Sequence, residues 1–138
     1  LVAANYNSPG NVAISGAKEA IEAAVPKMKE AGAKHCLPLQ VGGAFHSPLM
    51  APAGEKLAKA IAAVQFNVPV CPVYQNVDAQ PHTDPEQLKA NLLLQLTSAV
   101  KWTASVNNML DAGMDEFVEC GPGTVLTSLV NRIKKSRK

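Results

Sequence analysis

The period of the apolar residues switches several times along this chain, and that constrains the fold more than any single residue does. Asn11-Val12-Ala13-Ile14-Ser15 alternates with the period of a strand. Ala20, Ile21, Ala24, Val25, Met28 and Ala31 recur at helical spacing. Leu1 to Ala4 reads as the end of a strand, with Asn5-Tyr6-Asn7-Ser8-Pro9-Gly10 as the turn after it. Ser15-Gly16 is placed to cap the first helix and Gly32 to end it, while Pro26 should kink or split it. Lys34 to Val41 reads as a strand that delivers the chain to Gly42-Gly43.

The second half alternates in the same way. Pro52 suits the first turn of a helix with Leu57, Ala60, Ile61 and Val64 on its apolar stripe. Val68 to Tyr74 is extended, and Pro69 and Pro72 make it an edge or irregular strand. Asp84-Pro85-Glu86 places a cap and a first-turn proline before Leu88, Leu92, Leu93 and Leu96. Trp102, Val106, Met109 and Leu110 mark another helix, closed by Gly113. Glu116 to Cys120 reads as a strand, Gly121-Pro122-Gly123 as a tight turn, and Val125, Leu126, Leu129, Val130 and Ile133 as the last helix. This order predicts an α/β fold with a small α+β lobe at the front.

Composition narrows the function classes. The 138 residues are 47% hydrophobic and 17% charged, which is neither a disordered nor a disulfide-stapled composition. Cys36, Cys71 and Cys120 contain no C-x-x-C, so they predict three reduced thiols in a cytoplasmic protein rather than a zinc site. No apolar run is long enough to span a membrane, and no signal peptide is visible. The chain starts at Leu1 with no initiator Met and reads as a piece of a longer protein. Basic residues concentrate in Lys134-Lys135-Ser136-Arg137-Lys138, a solvated end with no basic stripe beside it, so nucleic acid is not an expected partner. No H-E-x-x-H, P-loop or G-x-G-x-x-G occurs, and neither a metal nor a cofactor is expected.

The chemistry concentrates at Gly42-Gly43-Ala44-Phe45-His46-Ser47-Pro48-Leu49-Met50. His46 ends an apolar run just before a helix, and an imidazole titrating near neutrality can take and return a proton. The small residues before it let a backbone or a substrate arm approach. A histidine base needs a nucleophile, but the G-x-S-x-G elbow is absent. Val118-Glu119-Cys120-Gly121-Pro122-Gly123 imitates it, with Val118 in place of the first glycine. The N–H groups after that turn offer a weak anion site. His82 reads as solvated, and His35 beside Cys36 makes a poor metal pair because neighbours on a strand face opposite ways. Gln95, in a leucine-rich helix, reads on pattern as a surface residue at the helix end.

Four blocks in order carry a resemblance: Asn5 to Gly16, Gly43 to Met50, Gln95-Leu96-Thr97-Ser98-Ala99-Val100-Lys101-Trp102, and Glu119 to Leu126. Together they resemble the malonyl-CoA:acyl-carrier-protein transacylases of bacterial fatty-acid synthesis. Ala99 departs from the proline common there. The resemblance implies the C-terminal part of an α/β-hydrolase-like core with part of a small ferredoxin-like α+β subdomain. Residues 1–42 would belong to the subdomain and 43–138 to the acyltransferase core. It also implies that the nucleophilic serine, the oxyanion hole and a carboxylate-binding arginine lie in a missing N-terminal half, since neither Arg132 nor Arg137 matches that arginine.

By the same resemblance, His46 is the general base, and the backbone carbonyl of Gln95 orients it in place of an acidic residue. Asn5 and Asn7 line the cleft for the pantetheine arm. Phe45 fits a malonyl-selecting pattern, because related polyketide-synthase acyltransferases often carry His-Ala-Phe-His for malonyl and Tyr-Ala-Ser-His for methylmalonyl. The substrates are malonyl-CoA and the phosphopantetheine thiol of acyl carrier protein, with no separate cofactor. The chain alone is expected to be inactive and to self-associate or to hold its missing half. Two rival readings stand beside this one: a non-catalytic CoA- or carrier-binding fragment of a larger synthase, and an unrelated α/β hydrolase piece using Cys120.

Overall fold

The computed structural model describes residues 1–138, a mixed arrangement of helices and short strands. Strands β1 (Val2–Ser8) and β2 (Asn11–Ser15) form an antiparallel hairpin. Strand β1 runs through Asn5 to Ser8, residues expected to form a turn, and the turn itself is only Pro9-Gly10. Gly10 takes φ +74°, which a residue with a Cβ rarely adopts. Helix α1 (Lys18–Glu30) follows, capped by Ala17 with no side-chain bond rather than by Ser15-Gly16. Pro26 lies inside α1, which is nevertheless one continuous helix. Both Pro26 and Glu22, whose carbonyl loses its donor, face solvent, so water can satisfy the freed group.

A 3-10 turn (Pro48–Met50) leads into α2 (Ala51–Ala62). The two-residue strands β3 (Val73–Tyr74) and β4 (Pro81–His82) pair antiparallel, and α3 (Pro85–Leu94), α4 (Trp102–Asp111) and α5 (Val125–Ser136) complete the chain. Asp84 caps α3 as its sequence requires, accepting from the Glu86 N–H at 3.1 Å.

Two expected strands are not strands. Residues 34–41 run irregularly, with Leu37 80%, Leu39 67% and Val41 61% exposed. Residues 116–120 are likewise irregular, and of the stretch from Val68 only Val73–Tyr74 pairs. The apolar pattern of a strand describes its faces, whereas the strand itself is a hydrogen-bonded pair. No strand of this chain lies beside either segment.

The core is small and sits where α4 and α5 cross β1. Val106, Val130 and Ile133 are buried there, with Trp102, Leu110 and Phe117 packed around them. The residues before α4 dock along β1 as a parallel bridge: Tyr6 N donates to Val100 O at 2.9 Å, and Val100 N donates to Ala4 O at 2.7 Å. Lys134 reaches the 114–118 segment, with its ammonium 4.9 Å from the centre of the Phe117 ring and donating to Asp115 O at 2.6 Å.

Polar contacts do much of the remaining work. Asp78 accepts from the Gln80 N–H at 3.1 Å and the Asn91 amide at 3.2 Å, and its Oδ2 lies 2.7 Å from His82 Nε2. His82 is thus tied into the fold rather than solvated. This network fastens the β3–β4 loop to α3. Burial alone would raise the Asp78 pKa, but the bonds from Gln80, His82 and Asn91 outweigh it and hold the carboxyl below the usual aspartate range.

Two outcomes follow for folding. Truncating Ile133→Ala should cost about 2–5 kcal/mol, read from urea unfolding with an unchanged slope. Asp78 has a lower pKa folded than unfolded, so its contribution is present above about pH 4 and is lost as pH falls through the folded value. Asp78→Asn should therefore be destabilised at neutral pH, and its deficit against the native chain should shrink in thermal melts below pH 4.

Candidate active site

Phe45 and His46 sit at the end of the irregular segment, and the fold immediately downstream holds them. Ser47 is only 2% exposed and caps the 3-10 turn, its Oγ accepting from the Leu49 N–H at 3.3 Å. The Ser47-Pro48 pair is a capping serine followed by a first-turn proline, a signal that sequence reasoning could have used and did not. His46 itself adopts φ +57°, a left-handed backbone uncommon for any residue but glycine. That conformation turns the ring away from the direction an extended strand would give it.

The ring meets the far end of α3. His46 Nδ1 lies 2.9 Å from the Gln95 carbonyl oxygen. Gln95 is the C-cap of α3, where the last carbonyls have no partner within the helix. A carbonyl can only accept, so Nδ1 carries the hydrogen and donates, and Nε2 is left as the basic nitrogen. His46 Nε2 makes no hydrogen bond within the chain. The Gln95 contact uses the main chain, so the identity of the side chain there carries little of the argument.

A cleft of about 140 Å³ lies beside this pair, lined by Phe45, His46, Leu57, Leu92, Gln95 and Leu96. The three leucines come from α2, α3 and the turn after α3, and they give the histidine a mostly apolar wall. Phe45 is 48% exposed, and its ring lies over Gly43, where an added Cβ would touch it at an ordinary 3.6 Å. Gly42 meets nothing within 4 Å of such a Cβ.

Other singled-out residues fall elsewhere. Asn5 and Asn7 are on β1 and do not line this cleft; Asn5 pairs with Val100, and the Asn7 amide donates to Asn11 Oδ1 at 3.2 Å. Cys120 is exposed. Glu119 folds back over the start of α5, its carboxylate accepting from Leu126 N at 3.1 Å, Thr127 N at 2.9 Å and Thr127 Oγ1 at 2.8 Å. The Thr127 N–H foremost, then its hydroxyl, hold the Glu119 carboxyl below the usual glutamate range. The N–H groups that an external anion would need are thus taken by Glu119. Gly121 and Gly123, at φ +140° and +87°, permit that fold-back. A larger hollow of about 300 Å³, lined by Asn11, Arg132 and the first turns of α5, does not touch His46.

The tautomer is open to measurement. Long-range nitrogen-15 spectra of neutral His46 should show a protonated Nδ1 and a bare Nε2; the reverse assignment would break the Gln95 contact.

The chain is similar to known proteins along nearly its whole length. The malonyl CoA-acyl carrier protein transacylase of Escherichia coli is 46% identical over 129 residues, covering 94% of this chain and 42% of that protein. The enzyme of the same name from Bacillus subtilis is 41% identical over 135 residues, covering 98% of this chain and 43% of that protein. The crystal structure of an acyl carrier protein S-malonyltransferase from Vibrio cholerae superposes with a TM-score of 0.93 at 48% identity, over 97% of this chain and 44% of that one. A type II polyketide acyl-carrier protein in complex with its malonyl-transacylase matches at 42% identity and a TM-score of 0.92, over 96% of this chain and 43% of that one. The chain thus spans less than half the length of the curated relatives it matches. The sequence profile of the acyl transferase domain matches residues 1–138 without remainder, and the chain belongs to that family.

Proposed function

We propose that this chain is the histidine-bearing part of an acyltransferase that moves malonyl from CoA to the phosphopantetheine thiol of acyl carrier protein. The observation that carries this reading is the 2.9 Å contact between His46 Nδ1 and the Gln95 carbonyl, which leaves Nε2 as a base beside an apolar cleft. The names of the relatives supply the substrates.

In this mechanism His46 Nε2 accepts the proton of a serine hydroxyl as that oxygen attacks the malonyl thioester. The same proton then passes to the departing CoA thiolate. In the second half, Nε2 takes the proton of the carrier's thiol as its sulfur attacks the malonyl-serine ester, and returns it to the serine. The Gln95 carbonyl holds the ring in one tautomer throughout and remains a partner for the imidazolium formed on the way. The sequence contains no serine elbow, so the nucleophile and the oxyanion hole belong to the part of the relatives' length outside these residues.

Phe45, half-exposed at the cleft, narrows the space beside the acyl group and disfavours an α-branched malonyl. Asn5 and Asn7, on β1 and outside the cleft at His46, would meet the pantetheine arm farther along its path, a role that rests on the resemblance of the block from Asn5 to Gly16. Residues 1–42 form part of a ferredoxin-like subdomain and 43–138 the C-terminal part of an α/β-hydrolase-like core. In that division, the contacts of β1 with α4 and α5 would join the two parts.

The test is malonyl transfer from malonyl-CoA to a phosphopantetheinylated carrier protein, with the full-length protein that contains this chain. His46→Ala should reduce kcat by about 10²–10⁴-fold, the usual weight of a general base. The chain by itself should transfer nothing. Full activity in His46→Ala, or transfer by the isolated chain, would end this reading.

A further inference from the structure

We propose that Ser47 is a positioning residue that holds His46 in its left-handed backbone conformation and so keeps Nδ1 on the Gln95 carbonyl. This rests on the reading of His46 as the base. The observation is one bond that spans the strained residue, made by a hydroxyl that is anchored on its other side. Ser47 Oγ donates to Ala44 O at 2.7 Å, reaching back across Phe45 and His46. The same oxygen accepts from Leu49 N at 3.3 Å, and Met50 N donates to Ser47 O at 3.0 Å, so the residue is also locked from the helix side.

Ser47 is among the most buried side chains in the chain, at 2% exposure, although it neighbours a partly exposed histidine and an exposed Pro48. Such burial of a hydroxyl is costly unless both its roles are filled, and here both are. His46 has φ +57°, a conformation that persists only where its surroundings impose it. The Ala44–Ser47 bridge spans that residue directly. Without the hydroxyl, the Ala44 carbonyl and the Leu49 N–H each lose a side-chain partner, and the His46 backbone is free to return toward negative φ. The ring would then swing off Gln95, because its reach to that carbonyl is set by the backbone that carries it. A misplacement of about 1 Å at a catalytic group can cost on the order of 10²-fold in rate.

The experiment compares Ser47→Ala, Ser47→Thr and His46→Ala in the full-length protein, measuring kcat and KM for malonyl-CoA, thermal melting, and the His46 tautomer by nitrogen-15 spectra. Expected is a loss of kcat of about 10- to 100-fold in Ser47→Ala, with KM little changed and the His46 signal shifted to mixed tautomers. Ser47→Thr, which keeps the hydroxyl, restores kcat and the Nδ1–H tautomer. Ser47→Cys, of similar volume and with a weaker donor, falls between them, and it carries the test if the alanine variant does not fold. An inactive His46→Ala beside a Ser47→Ala that keeps kcat within twofold and an unchanged tautomer overturns this inference alone. Loss of activity in Ser47→Ala that Thr does not restore, with the His46 tautomer unchanged, overturns it too. A fully active His46→Ala overturns the functional reading first, and this inference with it.

Discussion

One hydrogen bond joins residues 49 positions apart and organises the middle of this protein: His46 Nδ1–H to the carbonyl of Gln95. It needs two separate local events. The chain must leave its irregular segment through a left-handed residue, and α3 must stop at Leu94 so that the next carbonyl is free. Helices α2 and α3 pack against each other between these two points. Leu96 lies against α2 at Gly54, where an added Cβ would meet the leucine side chain at an ordinary 3.8 Å. The packing of α2 against α3 thus sets the separation, and the helix end supplies an acceptor that water would otherwise fill.

Around this contact the chain is held by main-chain and polar ties more than by a large core. The buried apolar cluster is only Val106, Val130 and Ile133 with their half-buried neighbours. The β1–Val100 bridge, the Asp78 network and the Glu119 clasp on α5 each fasten a loop to a regular element. Each satisfies groups that a turn or a helix end leaves unpaired. Meanwhile Leu37, Leu39, Val41 and Val118 stay exposed on segments with a strand's composition and no pairing neighbour. A chain that spans less than half of its relatives' length leaves such faces uncovered by its own residues.

Much of this was legible beforehand, for local reasons. Asp84-Pro85 announced α3 because capping and a fixed φ act within one turn. The stripes of α4 and α5 were legible because helical period is a property of neighbours. The Gly121-Pro122-Gly123 turn was legible too, though not its use, which is to bring Glu119 over the first N–H groups of α5. The failures over strands are of one kind. Lys34 to Val41 and Glu116 to Cys120 have strand-like sequences without strand partners, and pairing is not a local property. Asn5 to Ser8 looked like a turn because Asn and Ser favour turns, but β2 and Val100 paired with β1 and overrode that preference.

What the sequence determined alone is the kind of chemistry available: a lone histidine at the entrance to a helix, no serine elbow, no metal-ligand spacing, and a set of blocks found together in one family. What only the tertiary structure decided is how that histidine is held. The left-handed backbone at His46, the buried hydroxyl of Ser47 across it, and the carbonyl that fixes its tautomer are relations between residues, not residue types. The last of these exists because α2 and α3 pack against each other, which brings a free helix-end acceptor within 2.9 Å of one ring nitrogen. No pattern in the chain encodes that distance.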